Sequence, residues 1–97
     1  MIIVHDIFIA KAGNASKLAK LFKEGMEMGD DKVEIMTDMT GQFNKVVIVS
    51  RYESLSAYEK SWEKYKEDTQ EMKMMKEKMK GYTDMYLTGS REIYHAW

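Results

Sequence analysis

Residues with chemical scope sit at the two ends of the chain. The stretch "SREIYHAW" at 90–97 holds Arg91, Glu92 and His95, and "MIIVHDIFIA" at 1–10 holds His5 and Asp6. Both stretches otherwise read as strands whose β-branched and aromatic residues should be largely buried, so charged groups there need partners or a task. A carboxylate, an imidazole and a guanidinium brought to one pocket could do acid–base work. Asp6 or His95 would remove a proton, and Arg91 would stabilise the oxyanion that forms. The plainer reading is a set of ion pairs that hold strand register. If the last strand runs antiparallel beside the first, paired residue numbers sum to a constant near 97 or 98. The larger sum sets Asp6 against Glu92, two like charges, whereas the smaller sets Asp6 opposite Arg91 and His5 opposite Glu92. Opposite charges favour the smaller, with one pair on each face of the sheet.

Other constellations are weaker. His5 and His95 with Glu92 or Asp84 lack any metal-ligand spacing, and no metal site is assigned. Arg91 with Lys45 or Arg51 offers cations for an anion, although exposed cations are more often simply solvated. The run "KMMKEKMK" reads as a solvated helix end that complements the helix dipole rather than as a membrane-facing face. No nucleophile elbow supports Ser-His-Asp chemistry. Cysteine is absent, which excludes disulfides, thiolate metal sites and thiol catalysis.

The elements that must position these residues can be followed along the chain. Residues 2–10 suit a strand, and "KAGNAS" supplies a turn in which Asn14 or Ser16 can cap a helix. Ala15, Leu18, Leu21, Phe22 and Met26 then recur at helical spacing, with Gly29 as a stop. "KVEIMTDM" alternates like a half-covered strand, "TGQFN" turns the chain, and "KVVIVSRY" is a nearly continuous apolar run, as in a central strand. Ser54 can cap a second helix with the stripe Leu55, Tyr58, Trp62 and Tyr65. A break near Asp68 would be followed by a restart through the Asp68–Glu71 capping box, and Met72, Met75 and Met79 form a second stripe ending at Gly81. Residues 84–96 form the last strand. The order β-α-β-β-α-β is that of the α+β ferredoxin-like fold, whose antiparallel sheet has the order 4-1-3-2.

At 97 residues the chain is expected to form one domain, 1–97. Its hydrophobic fraction of 44% and charged fraction of 32% are ordinary for a folded domain. A net charge of -1 provides no field to draw in phosphate backbones, which argues against nucleic acid as a partner. The opening residues lack a basic n-region, and no apolar run approaches the roughly 20 residues a membrane span needs. A cytoplasmic location without membrane contact is the expectation. Ten methionines and no proline stand out; flexible thioethers suit either an adaptable pocket or a loosely specified core.

Two helices can cover only one face of the sheet, yet the first and third strands are apolar on both faces. A second copy of the same sheet is the simplest cover, giving a two-fold homodimer in which paired sheets enclose a barrel.

With that inference, "IIVHDIFIAKAGNASKLAKLF", "RYESLSAYEK" and "SREIYHAW" resemble the dimeric α/β barrel superfamily, and within it the NIPSNAP-like proteins and the antibiotic-biosynthesis-type monooxygenases. The match spans nearly the whole chain, but its motifs are structural: a strand leading into a Gly turn, a tyrosine before a Ser-capped helix, and an Arg-Glu pair on the final strand. It implies a pocket between sheet and helices, with Val4, Asp6, Phe8 and Ala10 facing the helices and Ile3, His5, Ile7 and Ile9 facing the barrel. It also implies a cofactor-independent oxygenase or isomerase acting on a small aromatic or polyketide-like compound, with Asp6, Arg91 and His95 as catalytic groups and Phe8, Tyr52 and Trp62 holding the ring. The alternative is a non-catalytic, small-molecule-binding or stress-associated homodimer. An apolar cavity of roughly 300 Å3 or more reached by Asp6 would favour the first. The superfamily's haem-degrading branch carries an Asn on the first strand, a Trp ending the third and an axial His on the following helix. Asp6 and Tyr52 resemble counterparts of the first two, but no histidine lies between His5 and His95, so no cofactor is expected.

Overall fold

The computed structural model describes residues 1–26, 33–67 and 69–97, the side chains of residues 64 and 65 apart. Strands β1 (Ile2–Ala10), β2 (Val33–Thr37), β3 (Lys45–Tyr52) and β4 (Tyr86–His95) form one antiparallel sheet in the order β2-β3-β1-β4. Helices α1 (Ala15–Met26), α2 (Leu55–Lys66) and α3 (Gln70–Lys78) complete the α+β ferredoxin-like arrangement. This is the expected sheet order read from its other edge.

The core lies between α1 and the sheet. Leu18 and Phe22, four apart on one helix face, are fully buried against Val46, Ile48 and Ala10. Side chains alternate along a strand, so the even-numbered residues Val4, Asp6, Phe8 and Ala10 share the helix side of β1. Ile3, His5, Ile7 and Ile9 lie on the opposite, open side and are only half-buried. On β3, Val46, Ile48, Ser50 and Tyr52 point toward the helices. Val47 and Val49, on the open side, are nevertheless buried.

The β1–β4 ladder follows the smaller sum, with Asp6 paired to Arg91 and His5 to Glu92. The register shifts by one residue between Ile9, opposite Thr88, and Ala10, opposite Tyr86. Leu87 is therefore a β-bulge, and it turns Tyr86 back over the core, 4.9 Å from the Phe8 ring. The last strand begins at Tyr86 rather than at residue 84 because residues Tyr82–Asp84 close a 3₁₀ turn, with Met85 N donating to Tyr82 O at 3.0 Å. Gly81 leads into that turn with φ 88°, a conformation that favours glycine.

Caps set the helices. The Ser54 hydroxyl accepts from Ala57 N at 3.1 Å at the start of α2, as expected. Thr69 opens α3: its side chain accepts from Met72 N at 3.2 Å. The proposed stop at Gly29, the Tyr65 member of the α2 stripe and Asp68 itself lie outside the described residues. The β2–β3 connection is held by Asp38, whose Oδ1 accepts from Thr40 N at 2.9 Å and Gly41 N at 2.6 Å.

Candidate functional site

α1 packs on β1, β2, β3 and α3, while the chief partner of α2 is β3. The two helical groups stand apart over the sheet, and a cleft of about 450 Å3 opens between them. Its floor is Asp6 and Phe8 of β1, Ile48, Ser50 and Tyr52 of β3, and Arg91 of β4. Phe22 and Met26 of α1 line one wall, Tyr58 and Trp62 of α2 another, and Met75, Met79 and Tyr82 a third. Aromatic rings run through it: Phe8 lies 4.9 Å from Phe22, Tyr52 lies 5.1 Å from Tyr58, and Tyr58 lies 6.1 Å from Trp62.

The polar centre is the ion pair expected from the register. Arg91 Nε donates to Asp6 Oδ1 at 2.5 Å. The guanidinium carbon sits 4.9 Å from the Trp62 ring and 6.0 Å from the Tyr58 ring, within cation–π reach. The hydrogen bond to Asp6 raises the Arg91 pKa further above its usual value, a gain that burial of the group opposes. Arg91 is therefore a fixed positive charge whose planar face is occupied by aromatic rings. The Tyr58 hydroxyl is buried and has no hydrogen-bond partner among the described residues. Its backbone carbonyl accepts from Ser61 Oγ at 2.6 Å, tying one turn of α2 to itself.

Five of the six residues singled out from sequence meet in this cleft: Asp6, Arg91, Phe8, Tyr52 and Trp62. His95 does not. It shares the face of Arg91, but four residues further along the strand places it roughly 13 Å away, opposite Ile2 at the sheet end. There it is exposed and stacks on Trp97 at 5.9 Å. Sequence reasoning missed Tyr58, Ser50, Lys76 and Lys80 as lining residues. The Tyr58–Trp62 spacing signalled a shared helix face, but nothing in it separated a cleft wall from a packed core.

The competing sites are dispersed. Lys45 Nζ is 3.2 Å from Asp38 Oδ2, and Arg51 Nη1 donates to Glu34 Oε1 at 2.5 Å, so both cations are paired. His5 is on the open face, 5.2 Å from the Tyr94 ring, whose hydroxyl donates to Glu92; that bond raises the Tyr94 pKa. Opposite faces keep His5 and His95 apart, and among the described residues no group of three or more metal-ligating side chains forms. No helix among the described residues is long and apolar enough to cross a membrane.

No protein-family model matches this sequence, and no curated protein matches it. Solved structures do. An uncharacterised NIPSNAP domain protein from Burkholderia xenovorans superimposes with a TM-score of 0.78 at 13% identity, covering 100% of this chain and 95% of that one. A NIPSNAP-like domain protein from the same organism gives 0.79 at 17% identity, covering 99% and 84%. An antibiotic biosynthesis monooxygenase gives 0.64 at 12% identity, covering 100% and 99%. At these identities the likeness is one of fold, and the fold is the one the resemblance implied.

Proposed function

We propose that the cleft binds a small aromatic or polyketide-like compound and that the protein acts on it as a cofactor-independent, monooxygenase-like enzyme or as an isomerase. The observation that carries this reading is a cleft of about 450 Å3, lined by aromatic rings and methionines, with the Asp6–Arg91 pair in its floor. Its size lies in the range of small-molecule sites. In the oxygenase version Asp6 takes a proton from an activated methylene and Arg91 stabilises the negative oxygen that conjugation creates. The carbanion adds to O2, and loss of water from the resulting hydroperoxide leaves a carbonyl. In the isomerase version the same proton returns to a different carbon. Haem has no part in this proposal, because α2 carries no histidine to serve as the axial ligand.

A second reading, a non-catalytic small-molecule-binding protein, is favoured by the ion pair itself: an acid already bonded to a guanidinium at 2.5 Å holds its charge in structure. One experiment separates the two. A thermal-shift screen against aromatic compounds, with haem included, identifies a binder by its upward shift in Tm, and oxygen uptake and product are then followed with that compound. Catalysis by Asp6 predicts that Asp6→Asn keeps binding and loses turnover. Equal turnover by Asp6→Asn removes Asp6 from the mechanism, and binding without turnover in the parent protein leaves the second reading.

In either case we propose that the working unit is a homodimer joined through the open sheet face. Ile3, Ile7 and Ile9 on that face are only half-buried in the single chain.

A further inference from the structure

We propose that the ligand carries an anionic oxygen, a carboxylate on an apolar ring-sized body, and that the Tyr58 hydroxyl and the Arg91 guanidinium hold that head. This rests on the cleft being a ligand site, and it adds the class of molecule the site selects.

Two observations point to the head group. The first is the Tyr58 hydroxyl, shielded from solvent and without an acceptor among the described residues. A buried O–H without an acceptor is costly to the fold and calls for an explanation, and a ligand oxygen would supply one. Asp6 uses Oδ1 to accept from Arg91, and the Tyr58 hydroxyl does not bond to it. The second is the balance of charge in the lining. Among its described residues Asp6 is the one acid, against Arg91, Lys76 and Lys80. After Asp6 cancels Arg91, two positive charges remain, both on exposed lysines, Lys76 on α3 and Lys80 in the turn after it.

Tyr58 and Arg91 belong to one cleft lining. The guanidinium carbon is 6.0 Å from the Tyr58 ring centre. A guanidinium has four N–H donors besides Nε, the one bonded to Asp6. A carboxylate has two oxygens and can accept from a tyrosine and an arginine at once, where a neutral hydroxyl fills fewer of these positions. Phe8, Phe22, Met26, Met75 and Met79 then cover the apolar body. Methionine adapts to ring outlines without a fixed shape, so the polar end rather than the wall decides which molecule is held.

A matched pair of probes tests this. Calorimetric titration compares 2-naphthoate with 2-naphthalenemethanol, which share a ring system and differ in charge, in the parent protein and in Tyr58→Phe. The expected result is naphthoate binding about tenfold tighter or more, an advantage that shrinks with added salt because the lysines are exposed. In Tyr58→Phe most of the advantage should go while the alcohol binds as before; Lys76→Ala with Lys80→Ala should remove the salt-dependent part. Equal affinity for both probes, or preference for the alcohol, overturns the anion inference and leaves the cleft as a ligand site. An advantage unchanged in Tyr58→Phe overturns the role of its hydroxyl. Absence of binding by either probe at millimolar concentration removes the ligand-site reading, and this inference with it.

Discussion

Asp38 is a single residue on which a whole connection depends. Hydrogen bonds from the backbone of Gly41 and Thr40, then one from the Lys45 ammonium, hold its pKa at about 2, below the ordinary 3.8. A carboxyl with a lowered folded-state pKa stabilises the fold above its unfolded value, and the contribution disappears as pH falls through the folded value. Thermal stability should therefore drop between about pH 4 and pH 2, and Asp38→Asn, which keeps an acceptor but cannot ionise, should flatten that part of the curve in a pH series of thermal melts. Legibility at this scale was uneven for a physical reason. Asp6 and Arg91 could be paired from sequence because strand parity and the sign of two charges leave one acceptable register. Parity fixes a face but not a depth, so His95 shared the right face and still fell beyond the cleft. Tyr58, Lys76 and Lys80 depend on how α2 and α3 are set over the sheet, which periodicity does not specify. Leu55, in the same stripe as Tyr58, is 58% exposed.

Between elements, α1 at Gly25 comes close to the residue capping α3. A Cβ placed on Gly25 would lie 2.3 Å from Met79 Cγ and 2.7 Å from its Sδ. Replacing a helical glycine by alanine ordinarily gains up to about 1 kcal/mol of helix propensity, less in the last turn where Gly25 lies, and here the methionine must also swing aside, into the cleft it lines. Gly25→Ala should thus leave the melting temperature near or below the parent value and weaken binding of whichever probe the cleft accepts. Unchanged affinity in calorimetry would mean that Met79 has another way to move. The order of elements was readable because each apolar pattern has its own period: two for β2, near four for α1, and an unbroken run for β3. The start of β4 was not, since the 3₁₀ turn at Tyr82–Asp84 is set by backbone hydrogen bonds that side-chain pattern does not encode.

For the whole molecule the governing asymmetry is between two sheet faces. The helix side is closed by α1 and partly by α2 and α3; the other side exposes Met36 and Tyr94 beside the half-buried isoleucines of β1. That asymmetry was legible in the apolar strands, because two helices cannot cover both faces. A two-fold interface through this face should bury about 1,200 Å2 or more in total. Sedimentation should give a dimer at micromolar concentration, and Ile7→Glu should convert it to a monomer with unchanged far-UV circular dichroism, since a charge placed at the centre of the contact would be buried unpaired. A parent protein that sediments as a monomer under the same conditions would overturn the dimer.

The bulge at Leu87 also decides which single-residue losses the gene could survive. Without Leu87, which is 69% exposed, Tyr86 would join Thr88 directly, and the pairing of Ile9 with Thr88 and Ala10 with Tyr86 would become a regular ladder. Every side chain on both flanks would keep its face. A one-residue loss at Ser90 would instead turn part of the strand over, setting either Arg91 and the residues after it on the wrong faces or Leu87, Thr88 and Gly89, with Gly89 moved away from Phe8. Deletion of the codon for Leu87 should therefore yield a protein that melts near the parent, whereas deletion of the codon for Ser90 either breaks the Asp6–Arg91 pair or sets Thr88 in place of Gly89 against Phe8 and should melt lower.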